Sequence, residues 1–112
     1  SIRSNYILKI NMKKFFLFLF FFIITSEVFS DTKMELGLEI YNNKAQCGTC
    51  HILHNAGSEG QIGPNLDQIK PTLIQVMTAV KNGIGVMPAF DEILTNEEIE
   101  AVSHYVVTST NQ

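Results

Sequence analysis

Tryptophan is absent from this sequence, cysteine occurs only twice and proline three times. Phenylalanine looks abundant, yet seven of the eight lie at or before Phe29, so the rest of the chain keeps Tyr41, Phe90 and Tyr105 as its only aromatic residues. A folded part of about 80 residues with so few large rings is near the size where one apolar core is marginal without a disulfide, metal or cofactor. Something must supplement that core. Long apolar runs are missing too: the longest, Phe15 to Ile24, has ten residues, well short of the ~20 that cross a bilayer as a helix. Basic residues are scarce from Asp31 onward, where Lys33, Lys44, Lys70 and Lys81 face ten acids. Six acids in excess disfavour nucleic acid and anionic membrane. They suit a partner with a basic docking patch, reached by steering that salt weakens, and equally they keep a small protein soluble.

The apolar run has a recognisable setting. Met12, Lys13 and Lys14 form a short basic start, and Val28, Phe29 and Ser30 flank a plausible cut before Asp31. That layout is a secretory signal peptide. The expected organisation is an upstream segment of no readable role over 1–11, a signal peptide over 12–30 and one folded domain over 31–112. The expected location is the periplasm, with no stable membrane span after cleavage and a membrane-anchored form if the signal stays.

Within 31–112, three segments have helical spacing. Thr32 and Glu35 make a capping-box pattern ahead of Met34, Leu38 and Tyr41, which predicts a helix over about Lys33 to Asn42, with Gly37 where another helix can approach closely. Pro71 opens a second helix with an apolar stripe of Leu73, Ile74, Val76, Met77 and Val80, ended by Asn82 and Gly83. Thr95 and Glu98 repeat the capping box before Ile99, Val102, Tyr105 and Val106, a last helix running to about Val107. No segment alternates like a strand. Between helices, Gly57 to Lys70 and Gly83 to Phe90 read as loops, and so long a loop in so small a domain usually wraps something.

The chemistry is concentrated in Cys47-Gly48-Thr49-Cys50-His51, which matches the C-x-x-C-H pattern of covalent haem attachment. Two thiols three positions apart lie on one helical turn and can reach two vinyl groups on one porphyrin edge, and the next residue can offer an imidazole to iron. Rival readings are weaker. A thioredoxin-like dithiol needs a β/α pattern that is missing here. Zinc on Cys47, Cys50, His51 and His54 would crowd four ligands into eight residues, where structural sites draw on two separated segments. A plain disulfide leaves His51 unexplained.

A second axial ligand must come from far along the chain. Met34 and Met77 fall on apolar helix faces, where Met is usually core filler. His54 lies one turn after His51, and His104 lies off the apolar stripe of the last helix. Met87 stands between Gly83, Gly85 and Pro88 in an irregular loop, so it is the best placed.

These residues resemble class I bacterial cytochromes c over about Met34 to Val107. Cys47, Cys50 and His51 correspond to the attachment motif of that family, Gly63-Pro64-Asn65-Leu66 to its following loop, and Met87-Pro88 to its distal loop. Gly37, Tyr41 and Tyr105 are similar to the small and aromatic residues where its first and last helices cross. The resemblance implies an all-α cytochrome c fold, three to four short helices and long loops around one covalent haem c. It also implies that Pro64 accepts the proximal imidazole N–H, holding His51 in one tautomer. A narrower likeness, in Asn82 to Pro88 and Gly57 to Gly60, is to small haem subunits that accept electrons from periplasmic molybdenum sulfite dehydrogenases.

With His51 and Met87 both on iron, no position remains for a substrate. The expected function is therefore one-electron transfer rather than catalysis, with redox partners such as a periplasmic dehydrogenase and a terminal oxidase or other cytochrome. A haem enzyme or sensor with a labile distal ligand is the alternative.

Overall fold

The computed structural model describes residues 28–112, and the expectations for 1–27 lie outside them. The chain divides into two compact units, Ser1–Asp31 and Thr32–Gln112. In the first, the described residues 28–31 are helical, with Val28 and Phe29 exposed. Among the described residues no helix is long and apolar enough to cross a membrane.

The second unit is a small helical fold. Helix α1 covers residues 32–39 of it and passes into a π-turn, Ile40–Lys44. Because residues 28–31 are helical as well, Thr32 is not where the helix starts, and the capping box expected there does not form its end. The chain then makes a 3-10 turn at Cys47–Thr49, a two-residue strand β1 (Ile52–Leu53), a second 3-10 turn at His54–Ala56 and a strand β2 (Ser58–Glu59). The strands pair antiparallel, Ile52 with Glu59 and Leu53 with Ser58. Helices α2 (Leu66–Ile69), α3 (Leu73–Asn82) and α4 (Asn96–Thr110) follow.

Both later helices open on a capping box, the expected one at Thr95 and a second at Thr72 that the Pro71 reading passes over. Thr72 accepts from Gln75 N–H while the Gln75 side chain accepts from Thr72 N–H, and Thr95 and Glu98 do the same for α4. Each box satisfies donors that a helix start leaves open. Pro71 therefore stands just ahead of the Thr72 cap rather than inside the first turn, and α4 runs three residues past Val107, whose carbonyl accepts from the Thr110 hydroxyl and the Asn111 side-chain amide at the helix end.

The core is built from α1, the π-turn, β1, α3 and α4: Ile40, Tyr41, Leu53, Val76, Val80, Ile99, Val102, Tyr105 and Val106 are all buried. The α3 stripe divides. Val76 and Val80 point into this core, while Ile74 is 76 % exposed and Leu73 43 % exposed. Leu94, in the turn before α4, closes the bottom of the same cluster.

Helices α1 and α4 meet at Gly37. A Cβ there would run into the Ala101 carbonyl oxygen and stand 2.5 Å from Tyr105 Cβ, so only a glycine admits this approach. Tyr41 and Tyr105 stack beside it with ring centroids 5.9 Å apart and planes tilted by 57°. We expect Gly37→Ala to destabilise the folded protein by about 2 kcal/mol or more, the cost of overpacking against backbone, read as a drop in thermal midpoint.

Lys44 ties the π-turn to the start of α4 through both Glu98 oxygens, at 2.6 and 2.8 Å. That side-chain hydrogen bond from Lys44, followed by the Thr95 N–H, holds the Glu98 carboxyl below its ordinary value of 4.5. A carboxylate lowered in the folded state adds stability above its unfolded pKa and loses it as pH falls through the folded one. Glu98→Gln keeps an acceptor for the cap and removes the ionic partner of Lys44. We expect the wild type to melt above this variant at pH 6 and the gap to close as pH falls below 4.5; a gap that stays constant down to acid pH would show that the ion pair is not its source.

Candidate functional site

Gln46 has a left-handed backbone, φ 53°, which turns the chain out of the π-turn and into Cys47–Thr49. Two amide bonds then wind the motif onto itself, with Cys50 N–H and His51 N–H both donating to Cys47 carbonyl at 3.1 Å. Cys47, Cys50 and His51 are thereby gathered on one tight turn. Both cysteines are free thiols, half-buried, and burial pushes the Cys47 thiol up to about 11.

The imidazole is fixed from its far side. His51 Nδ1 lies 2.8 Å from the Pro64 carbonyl oxygen. A carbonyl can only accept, so Nδ1 carries a proton, and in the neutral ring Nε2 then keeps its lone pair for a metal. Gly63 backs the ring, since a Cβ there would stand 2.6 Å from His51 Cε1, and Gly63 N–H donates to Cys50 carbonyl at 2.7 Å.

The main chain of His51 is held by a residue that the sequence pattern did not single out. Ser58 Oγ donates to His51 carbonyl at 2.9 Å and accepts from Leu53 N–H at 3.1 Å and from Tyr41 O–H at 2.9 Å. One donor and two acceptors exhaust a hydroxyl. The single Ser58 proton goes to the His51 carbonyl, which can only accept, so the Tyr41 O–H is the donor of their shared bond; burial pushes that phenol up to about 12. Tyr105 O–H donates to Asn55 Oδ1 at 2.6 Å. Both tyrosines of the helix crossing thus reach into the segment that follows His51. Ser58 had no periodicity to betray it; it stood out only as part of the Gly57 to Gly60 likeness.

The other axial candidates are placed as follows. His54 is exposed, and its backbone N–H and Nδ1 both meet Asp67 Oδ2 at 2.8 Å. His104 is partly exposed on α4. Met34 is packed against the core, and Met77 borders a surface hollow of about 590 Å³ between α3 and α4, with Ile74 and Ile99. Met87 is partly buried against the core, whereas residues 84–86, 88 and 89 of its loop are exposed. Among the described residues no three His, Cys, Asp or Glu side chains converge to hold an ion, and His54 is turned to Asp67 rather than to the thiols.

The donor set fits a haem attached through sulfur: two free thiols on one turn, an imidazole with Nε2 open, a thioether in a separate loop, and half-buried apolar Leu66, Met87 and Phe90 beside the core. A helical fold with that turn defines a small monohaem protein of the c type. The chain belongs to the cytochrome c family, and residues 32–106 match the family described as cytochrome c oxidase, cbb3-type, subunit III. It is 32 % identical to cytochrome c6 of Microcystis aeruginosa over 61 % of this chain and 89 % of that one. It is 31 % identical to chloroplastic cytochrome c6 of Chlamydomonas reinhardtii over 69 % of this chain, and spans 55 % of that protein. The crystal structure of the c-type cytochrome SorU from Sinorhizobium meliloti is similar with a TM-score of 0.68 and 51 % identity, covering 73 % of this chain and 95 % of that one. The cofactor is a covalently bound haem c, and the protein is an electron carrier that works with redox partners.

Removing the Ser58 hydroxyl would leave a buried phenol, an amide and the His51 carbonyl without their shared partner. We expect Ser58→Ala to lower the stability of the haem-loaded protein by about 3 kcal/mol, a sum of unsatisfied buried groups, measured by denaturant unfolding.

Proposed function

We propose that this chain is an exported one-electron carrier whose haem c is held by Cys47 and Cys50 and ligated by His51 and Met87. The observation that carries the reading is the 2.8 Å bond from His51 Nδ1 to Pro64 carbonyl on the same turn as two free thiols. It leaves one nitrogen available and fixes the ring that bears it.

Haem c supplies a one-electron change between ferric and ferrous iron. Cys47 and Cys50 would each give a thioether to the porphyrin edge. His51 Nε2 would be the proximal ligand and Pro64 its orienting partner, and Met87 the distal one. A neutral thioether favours the ferrous form and raises the potential. With His51 and Met87 both holding the iron, no substrate would need to meet it, and the function would be outer-sphere transfer to and from protein partners.

The export signal over 12–30 and a domain over 31–112 belong to the same reading, supported by the boundary between the two compact units at Asp31. Residues 1–11 lie upstream of that signal. The periplasm is the corresponding compartment. For the electron donor we favour a periplasmic sulfite dehydrogenase, supported by the likeness carried by Gly57 to Gly60 and Asn82 to Pro88; a terminal oxidase or another cytochrome would take the electron onward.

The protein exported with c-type maturation factors is expected to gain the mass of one haem, to begin at Asp31 and to show the thioether-to-ferric band of Met-ligated haem. Replacing Met87 by Ala should abolish that band while the covalent mass remains. An unmodified mass would overturn the attachment, and strong carbon monoxide binding to the native ferrous protein would overturn the closed carrier. The haem also completes a core that is thin for about 80 residues. The Cys47→Ser, Cys50→Ser double variant is therefore expected to lack most of its helicity, and a cooperative melt in that variant would contradict this role.

A further inference from the structure

The loop that bears Met87 is fastened to α3 on both of its sides. Before Met87, Ile84 and Met87 exchange both backbone hydrogen bonds, Ile84 N–H to Met87 carbonyl at 3.1 Å and Met87 N–H to Ile84 carbonyl at 2.9 Å. That closes a two-residue turn of Gly85 and Val86, in which Gly85 has φ +56° and Val86 is 90 % exposed. A turn with the first central residue at positive φ selects glycine. After Met87, Phe90 N–H donates to Val80 carbonyl at 2.9 Å, returning the chain to the last turn of α3.

Gly83 is the hinge between helix and loop. Its N–H caps Ala79 carbonyl at 2.8 Å and its own backbone stands at φ 73°, ψ 163°. A Cβ at Gly83 would lie 2.7 Å from Met87 oxygen, 2.9 Å from Ala89 nitrogen and 3.0 Å from the Pro88 carbonyl carbon. The contact is with the backbone of the methionine and of the two residues that follow it, so no side-chain rotation could relieve it. Pro88 adds a third restraint, because the residue before a proline is confined to extended backbone. The result is a loop in which Met87 alone among residues 84–89 is turned inward.

We propose that Gly83 and the Gly85 turn are positioning residues for Met87, holding its side chain in the ligating place through the fold itself and so keeping the sixth coordination site closed to outside ligands. This rests on the reading of Met87 as the distal ligand. The fraction of molecules with Met87 away from its place sets how well a foreign ligand competes, because apparent affinity scales with the population of the competent state. Loosening the loop raises that fraction.

The test uses the haem-loaded ferric protein and imidazole as the competing ligand, followed by optical titration well below the melting temperature. Gly83→Ala, which meets both backbone strain and a clash, is expected to bind imidazole about tenfold tighter or more than wild type. Gly85→Ala is expected to give a smaller gain, since no atom lies within 4 Å of its added Cβ and only strain acts. Gly37→Ala, at the helix crossing, serves as the control for lost stability: it lowers the melting temperature and should leave imidazole affinity unchanged. Should Gly83→Ala fail to incorporate haem, Gly85→Ala decides by the same comparison.

If Gly83→Ala and Gly85→Ala bind imidazole no better than wild type while Met87→Ala loses the thioether band and binds it tightly, the positioning role is wrong and the ligand reading stands. Equal tightening in Gly37→Ala would also overturn it, by reducing the effect to general destabilisation. If Met87→Ala keeps the thioether band, the ligand reading fails and this inference fails with it.

Discussion

A single hydroxyl, Ser58 Oγ, joins the helical frame to the turn that holds the cysteines. It accepts from the Tyr41 O–H at the helix crossing and from the Leu53 N–H of β1, and it donates to the His51 carbonyl. Nothing is left over for water, so the segment from Cys47 to Ser58 has one way to lie on the tyrosine pair. Gly48 shows how tight that seat is, since a Cβ there would stand 2.6 Å from Ser58 Cβ. The crossing above it depends on Gly37, and the tyrosines can reach down to Ser58 and Asn55 only because α1 and α4 come so close.

That dependence explains the order of strength in the fold. The apolar core lies where α1, α3 and α4 meet; it orients two phenols and reaches the motif at Cys47, which packs against it. The motif is then held by hydrogen bonds from polar groups at the edge of the core, each of which is costly to leave unmade once buried. Ile69, Leu73 and Ile84, by contrast, remain outside that core at 55, 43 and 68 % exposure. A cytochrome c of this size completes its apolar packing with the porphyrin, a large flat surface that no side chain here could replace.

Much of this was legible in sequence because the signals were local. The attachment motif, the capping box at Thr95 and the end of α3 at Asn82 and Gly83 each depend on residues a few positions apart. The Thr72 box is just as local but stands behind Pro71, which by itself suits the first turn of a helix. Thr32 misled for a related reason: its spacing to Glu35 is right, but helical residues already precede it. The π-turn at Ile40–Lys44, the left-handed Gln46 and the two-residue strands follow from how the ends of the motif must meet α1 and α4. Ser58 was beyond reach for the same reason. Its partners lie 17, 7 and 5 residues away, and none of those separations has a periodic signature.

The two proposed iron ligands are restrained in different ways, and the difference bears on how an electron carrier works. His51 is fixed at ring and backbone, by Pro64 and by Ser58, within a segment that the covalent attachment also ties down. Met87 has no covalent tie, and its side chain has a flexible thioether that fits many places. Its order must come from the backbone, and the paired bonds with Ile84, the contact with Gly83 and the return bond from Phe90 to Val80 supply it. Groups held within a fraction of an ångström before they are needed require little rearrangement when charge moves. A carrier must exchange electrons in both directions with proteins it meets briefly, so neither ligand can depend on a partner to put it in place. Both loops are built so that the fold does this alone.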